Sequence, residues 1–220
     1  MKPLIIFGTG DLAQVAHFYF THDSPYQVVA FTVDSDYLSS SEFGGLPVVP
    51  FENIETVYPP AEFDMFVAIG YAQLNTVRAR KCAEAKDKGY KLVSYVSSKA
   101  TTWPGLDIGD NCFILEDNTI QPFVKIGNHV TLWSGNHIGH HAEIGDNCFI
   151  TSQVVVSGGV TIGENCFIGV NATLRDHIRI AKNCVIGAGA VILHDTQENG
   201  VYKASETELS KVPSQRLKGL

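Results

Sequence analysis

The chain has no apolar run long enough to cross a bilayer: its longest are stretches such as Leu4–Phe7 and Met65–Ile69. It lacks a basic cluster as well. Sixteen Lys and Arg stand against 23 Asp and Glu, a formal charge of −7 over 220 residues, which argues against nucleic acid and anionic membrane as partners. There is no Cys-x-x-Cys pair, and the cysteine count of five is odd, so neither a zinc ribbon nor a disulfide framework is expected. Met1-Lys2-Pro3 opens onto an apolar strand without the stretch of a secretion signal, so a cytoplasmic location is expected.

What the chain does have is a period of six. Every sixth residue from Ile108 to Ile192 is Ile, Leu or Val, fifteen positions without exception. With those three residues at about a quarter of ordinary sequence, chance gives this with a probability on the order of 10⁻⁹. Six matches neither a helix at 3.6 nor a flat strand at 2 and marks a hexapeptide β-solenoid. Ile-Gly or its variant recurs at 108, 126, 144, 162 and 180, so one coil takes eighteen residues on three short faces. Residue n then lies beneath residue n+18, about 4.8 Å away. Cys112, Cys148, Cys166 and Cys184 fall in one inward column of that register, which suits cysteine as a small buried apolar residue.

The first part of the chain reads differently. A strand over Lys2–Phe7 is followed by Gly8-Thr9-Gly10-Asp11-Leu12-Ala13, an apolar helix to Phe20, and a second strand over Val28–Val33 ending at Asp34. This is the strand–glycine turn–helix–strand–acid order of a dinucleotide fold, in which a phosphate meets the helix N-terminus. Phe63–Ile69 reads as a third strand ending in Gly70-Tyr71. Leu74–Lys88 reads as a helix with Arg78, Arg80 and Lys81 on its polar side, and Lys91–Val96 as a last strand. About 95 residues make half a dinucleotide-binding sheet, a size suited to a mononucleotide or nucleotide-sugar. The expected organisation is an α/β half-Rossmann-like domain over 1–97, a parallel β-helix over 98–198 and a cap over 199–220, with Thr207–Leu217 closing the open strand edges.

Histidines cluster in Trp133–His141, at His137, His140 and His141, while His129, His177 and His194 lie in other coils. Adjacent His140 and His141 do not suit one metal ion, so a general base and unemployed surface histidines are the readings left open. In the eighteen-residue register His140 lies under Gly158 and His141 under Gly159, so an open slot is expected above the imidazoles. An acyl thioester could enter it, with the Gly158 N–H facing the oxyanion. Asn118 and Asn136 occupy inward slots, where either an amide ladder or a sugar contact is possible.

A short glycine-rich α/β domain ahead of hexapeptide repeats resembles the bacterial sugar acyltransferases that include sialic-acid O-acetyltransferases and UDP-4-amino-sugar N-acetyltransferases. The resemblance spans nearly the whole chain and implies a left-handed parallel β-helix. It places the general base on His140, followed by His141 where the family often has Glu. A second family histidine falls on Phe149, so that role is missing or moved. The resemblance also implies acetyl-CoA as co-substrate, no metal, and a homotrimer with active sites between subunits. Gly158, Val170 and Ala188 match positions lining the acyl-CoA groove. A nucleotide-sugar is expected at Gly8, Thr9, Gly10, Asp34, Gly70, Tyr71 and Asn136. The implied chemistry is direct N-acetyl transfer to a nucleotide-linked amino sugar. The rival readings are O-acetylation of a sugar hydroxyl, a non-catalytic nucleotide-binding solenoid, and an NAD-dependent oxidoreductase.

Overall fold

A computed structural model describes residues 2–216. Five strands form the first sheet: β1 (Lys2–Phe7), β2 (Tyr26–Val33), β3 (Glu42–Phe43), β4 (Leu46–Pro50) and β5 (Asp64–Val67). Their order is β3-β4-β2-β1-β5, all parallel except the β3–β4 hairpin. Helices α1 (Asp11–His22), α2 (Ile54–Val57) and α3 (Thr76–Asp87) complete the domain. The apolar strand β1 is buried on both faces, as its continuous run requires. Leu4 and Ile6 pack with Ala13, Ala16 and Phe20 of α1, whereas Ile5 and Phe7 pack with Ile54, Cys82 and Ala85 of α2 and α3.

The expected strand over Lys91–Val96 divides between two sheets. Leu92 pairs with Met65 at the edge of the first sheet, while β6 (Tyr95–Val96) pairs with Phe113–Ile114 as the first rung of the solenoid. The first rung of the solenoid is therefore formed by Tyr95–Val96, just ahead of residue 97. The cause is continuity of hydrogen bonding: the chain leaves one sheet edge and starts the next within three residues.

From Asp107 to Ile192 the rungs stack at a constant offset of eighteen, as in Lys125–Glu143, Thr131–Phe149 and His137–Val155. The inward aliphatic column is almost wholly buried. Each thiol of the cysteine column hydrogen-bonds a carbonyl of the following coil, for example Cys148 Sγ to Gly163 O at 3.1 Å. Every sixth residue from Asn111 to Gly189 has a positive φ. Asn fills 111, 147, 165, 171 and 183, Gly fills 135, 159 and 189, and His fills 129, 141 and 177, the residue types that tolerate the left-handed region best. Asp117, Phe123 and Gln153 fill the rest.

The three turn columns make the edges of a prism. The domain-facing edge carries residues 110–111, 128–129, 146–147 and 164–165. Asn111 caps β5 there, its Oδ1 accepting from Val67 N and its Nδ2 donating to Val67 O. Arg78 is 1% exposed, not on a polar helix face. Its guanidinium donates to the carbonyls of Gly70 at 2.8 Å, Asn147 at 2.9 Å and His129 at 3.1 Å. Lys81 is likewise buried and pairs with Asp34 at 2.7 Å. The phenylalanine face of the solenoid lies under the domain, with Phe113 and Leu115 in one core with Phe20, Phe66 and Tyr95.

The last coil is two residues short, so Val201–Tyr202 pairs with Val185–Ile186 at an offset of sixteen. Tyr202 and Ala204 pack on the solenoid core. The expected cap over Thr207–Leu217 is not seen in the described residues: 206–216 are exposed, and Leu217 lies outside them. Tyr202–Ala204 takes its place because it continues the stacking directly.

Candidate active site

His140 and His141 project from the second edge, which carries residues 122–123, 140–141, 158–159 and 176–177; we call it the histidine edge. Both are exposed. The His140 backbone N–H donates to the Gln121 side chain at 2.8 Å. The two imidazoles meet Nδ1 to Nδ1 at 3.1 Å, and the His141 ring lies against Phe123, with centroids 4.7 Å apart. His141 occupies a left-handed turn slot at φ 58°, so its residue type has a backbone reason that His140 lacks.

The expected open slot above the imidazoles is absent. A Cβ on Gly158 would lie 2.7 Å from His140 Cε1 and 2.8 Å from its Nε2, so the His140 ring itself fills that space. Gly159 makes room in the same way for His177 of the following coil. The glycines accommodate imidazoles and do not leave an empty slot. Among the described residues no protein acceptor takes the Gly158 N–H.

Val170 and Ala188 are exposed on the third edge, the serine edge, which runs through Ser98, Glu116, Ser134, Ser152, Val170 and Ala188. The sheet that includes Thr119–Ile120, His137–Ile138 and Val155–Val156 separates it from the histidine edge. His140 and Gly158 therefore do not share one site with Val170 and Ala188 within a single chain.

At the N-terminal domain the glycine turn is built as a cradle. Gly8 has φ 119°, and a Cβ there would lie 2.9 Å from Ala68 O, so only glycine fits. Gly10 precedes the first turn of α1 with open space beside it. Thr9 lines a cavity of about 260 Å³ together with Val33, Tyr37, Leu38, Ser39, Ser40 and Phe43. The 37–43 loop was missed in the sequence; its run of three serines after β2 is the only signal it offers.

Other expected contacts already make bonds or packing contacts within the chain. Asn136 is 1% exposed, its amide donating to Trp133 O and its Oδ1 accepting from Val154 N, which removes it from the site. Asp34 is engaged by Lys81, and Gly70 O by Arg78. Tyr71 packs on Phe149 and Phe167 with centroids 5.1 and 4.9 Å apart. Phe149 is buried beneath it, so no acyl-group contact can come from that position. No group of His, Cys, Asp and Glu suited to a metal ion occurs among the described residues.

The model of the bacterial transferase hexapeptide repeat matches residues 124–158 and 159–194. No curated protein matches the chain in sequence. The acetyltransferase domain of PglB from Neisseria gonorrhoeae superposes with a TM-score of 0.83 at 24% identity, over 93% of this chain and 97% of that one. PerB from Caulobacter crescentus, solved with CoA and GDP-perosamine, gives 0.81 at 24% identity over 93% and 95%. WeeI from Acinetobacter baumannii gives 0.64 at 16% identity over 87% and 96%. The chain thus has a Rossmann-like domain leading into a left-handed parallel β-helix of hexapeptide repeats. Both parts of that fold are shared with the PglB acetyltransferase domain and PerB over nearly their full lengths.

Proposed function

We propose that the protein is an acetyl-CoA-dependent N-acetyltransferase acting on a nucleotide-linked amino sugar. The observation that carries this reading is the His140–His141 pair, with His140 against Gly158, on the edge of a fold shared with PerB, which was solved with CoA and GDP-perosamine. Acetyl-CoA supplies an activated acyl carbon. The serine edge suits its passage: Val170 and Ala188 are exposed and Gly189 has open space where a side chain would stand.

His140 does the proton chemistry. With Nδ1–H donated to His141 Nδ1, its Nε2 keeps a lone pair and takes the proton shed by the sugar amine as that nitrogen bonds to the acyl carbon. The unpartnered Gly158 N–H offers a donor to the developing oxyanion. The C–S bond then breaks, and CoA leaves as thiolate. No acyl-enzyme is required, and the five cysteines are buried.

Because the histidine and serine edges diverge within one chain, the complete site takes one edge from each of two copies. Three copies around an axis along the prism bring each histidine edge to a neighbour's serine edge. The face between them carries the exposed Val155 and Val191, with Leu193 beside it.

The test is thiol release from acetyl-CoA with a panel of GDP-, UDP- and dTDP-linked amino sugars, and with the matching hydroxyl sugars. Turnover of an amino sugar, lost in His140→Ala, is expected. A protein that binds neither CoA nor any of these sugars by calorimetry overturns the reading.

A further inference from the structure

We propose that Glu116, with Tyr19, Lys99 and Phe18 around it, forms the pocket that receives the amino sugar of the acceptor. This rests on the acetyltransferase reading and on its cyclic arrangement of chains. A cavity of about 590 Å³ lies between the C-terminal end of α1 and the serine edge, bounded by Phe18, Tyr19, His22, Asp23, Lys99 and Glu116. That is within the range of about 300–1,000 Å³ usual for small-molecule sites.

The two carboxylates of this cavity differ in availability. Asp23 accepts from Tyr95 Oη at 2.6 Å, the Ser98 N–H at 2.9 Å and Ser97 Oγ. These bonds, those from Ser98 and Tyr95 above all, hold its carboxyl down at about 2 and occupy it. Glu116 accepts one bond on each oxygen, from Tyr19 Oη at 2.5 Å and Ser134 Oγ at 2.7 Å. Each oxygen has a second lone pair left for a ligand. The two bonds fix the carboxylate in place. Lys99 makes no ion pair among the described residues, and the Phe18 ring is 61% exposed. A fixed carboxylate, a lysine donor and an aromatic face suit a ring that bears hydroxyls and an amine. The carboxylate takes ammonium or hydroxyl protons, the lysine donates to a hydroxyl oxygen, and the ring covers C–H groups. A simple anion is repelled by Glu116.

Position decides the assignment. Around an axis along the prism, equal rungs of neighbouring chains lie at equal heights. His140 of one chain therefore stands level with Ser134–Gly135 of the next, which share its coil. Glu116 lies one coil toward the N-terminus, about 4.8 Å away, while Val170 and Ala188 lie two and three coils the other way, at about 10 and 14 Å. Acceptor and acyl donor then reach the imidazole from opposite sides. Along α1, nine residues separate Gly10 from Tyr19, about 13 Å. That is about the length of a diphosphate plus a hexose, so a nucleotide-sugar whose first phosphate lies at Gly10 can bring its sugar toward Glu116.

Kinetics of Glu116→Gln and Phe18→Ala against wild type test this, with both KM values measured by thiol release on the panel above. The expected result is an acceptor KM raised at least tenfold in Glu116→Gln and severalfold in Phe18→Ala, with the KM for acetyl-CoA unchanged in both. Phe18 is exposed, so its variant stays folded even if loss of the Tyr19 bond weakens the first. Wild-type turnover with acceptor KM unchanged in the variants overturns the pocket alone. A wild type that binds acetyl-CoA yet acetylates no amino sugar overturns the functional reading beneath it.

Discussion

The imidazoles of His140 and His141 face each other Nδ1 to Nδ1 at 3.1 Å, a separation that admits one proton between them. Only one tautomer leaves His140 Nε2 basic: His140 donates and His141 accepts. On the proposed reading, His141 orients the base in place of a carboxylate. His140→Ala should lower turnover by about 10²–10⁴. The role of His141 is separable from its turn geometry, because both Gly and Asn suit its left-handed slot. His141→Asn keeps an acceptor oxygen and should retain most activity. His141→Gly keeps the turn and loses the acceptor, and should cost about tenfold or more with a displaced pH profile of kcat. Equal activities in the two variants would show that the pair only shares a turn.

Gly158 gives a second prediction. Its φ is not in the left-handed region, so alanine is acceptable to the backbone. The added methyl would stand 2.7 Å from His140 Cε1, and the exposed ring must swing away. Gly158→Ala should lower kcat by about 10-fold to 100-fold, since a displaced base loses its aim. The melting temperature should be unchanged. A fall in acetyl-CoA affinity at constant kcat would restore the idea of an open acyl slot at this rung.

The solenoid was legible because its signal repeats: one aliphatic in six fixes coil length, register and interior together. The left-handed turn column was present in the same text and was harder to weigh. His141 reads as a reactive residue until its shared slot with Asn and Gly supplies a backbone cause, one that applies equally to His129 and His177. The docking of the two domains could not be read, because periodicity reports how an element packs on its own neighbours and not which prism edge faces another domain. Arg78 shows this best: it resembles the exposed Arg80 in sequence, yet it is Arg78 and not Arg80 that meets the carbonyls of the solenoid turns. Asn136, by contrast, was correctly located in an inward slot, and that burial excludes it from substrate.

Arg78 therefore carries a stability prediction. Among the described residues its charge has no carboxylate partner; burial pulls its pKa down to about 10, and carbonyls from both domains solvate it. Arg78→Met removes the donors and leaves the Gly70, Asn147 and His129 carbonyls short of partners in a buried interface. The cost should be on the order of 3–5 kcal/mol in urea denaturation. The two domains should then unfold in separate transitions. A single transition at wild-type midpoint would mean that the aromatic core around Phe113 suffices to join them.

His129 gives the same interface a pH dependence. Burial pulls its pKa below the ordinary 6.5, against the raising effects of Asn147 and Asp110, with Lys86 and Arg78 adding to the fall. Its Nδ1 lies 2.8 Å from Asn147 Oδ1 and its Nε2 3.0 Å from Asp110 Oδ1. The unfolded chain takes up a proton near 6.5 that the folded chain still refuses. The resulting stability is full above that pH and is lost as the pH falls below it. His129→Asn keeps the left-handed turn and removes the titration. Between pH 7.5 and 5.5 the wild-type melting temperature should fall more steeply than that of the variant. The difference between the two proteins isolates this residue from His17, whose pKa is also lowered by burial. Parallel slopes would show that the interface opens enough to hydrate the imidazolium.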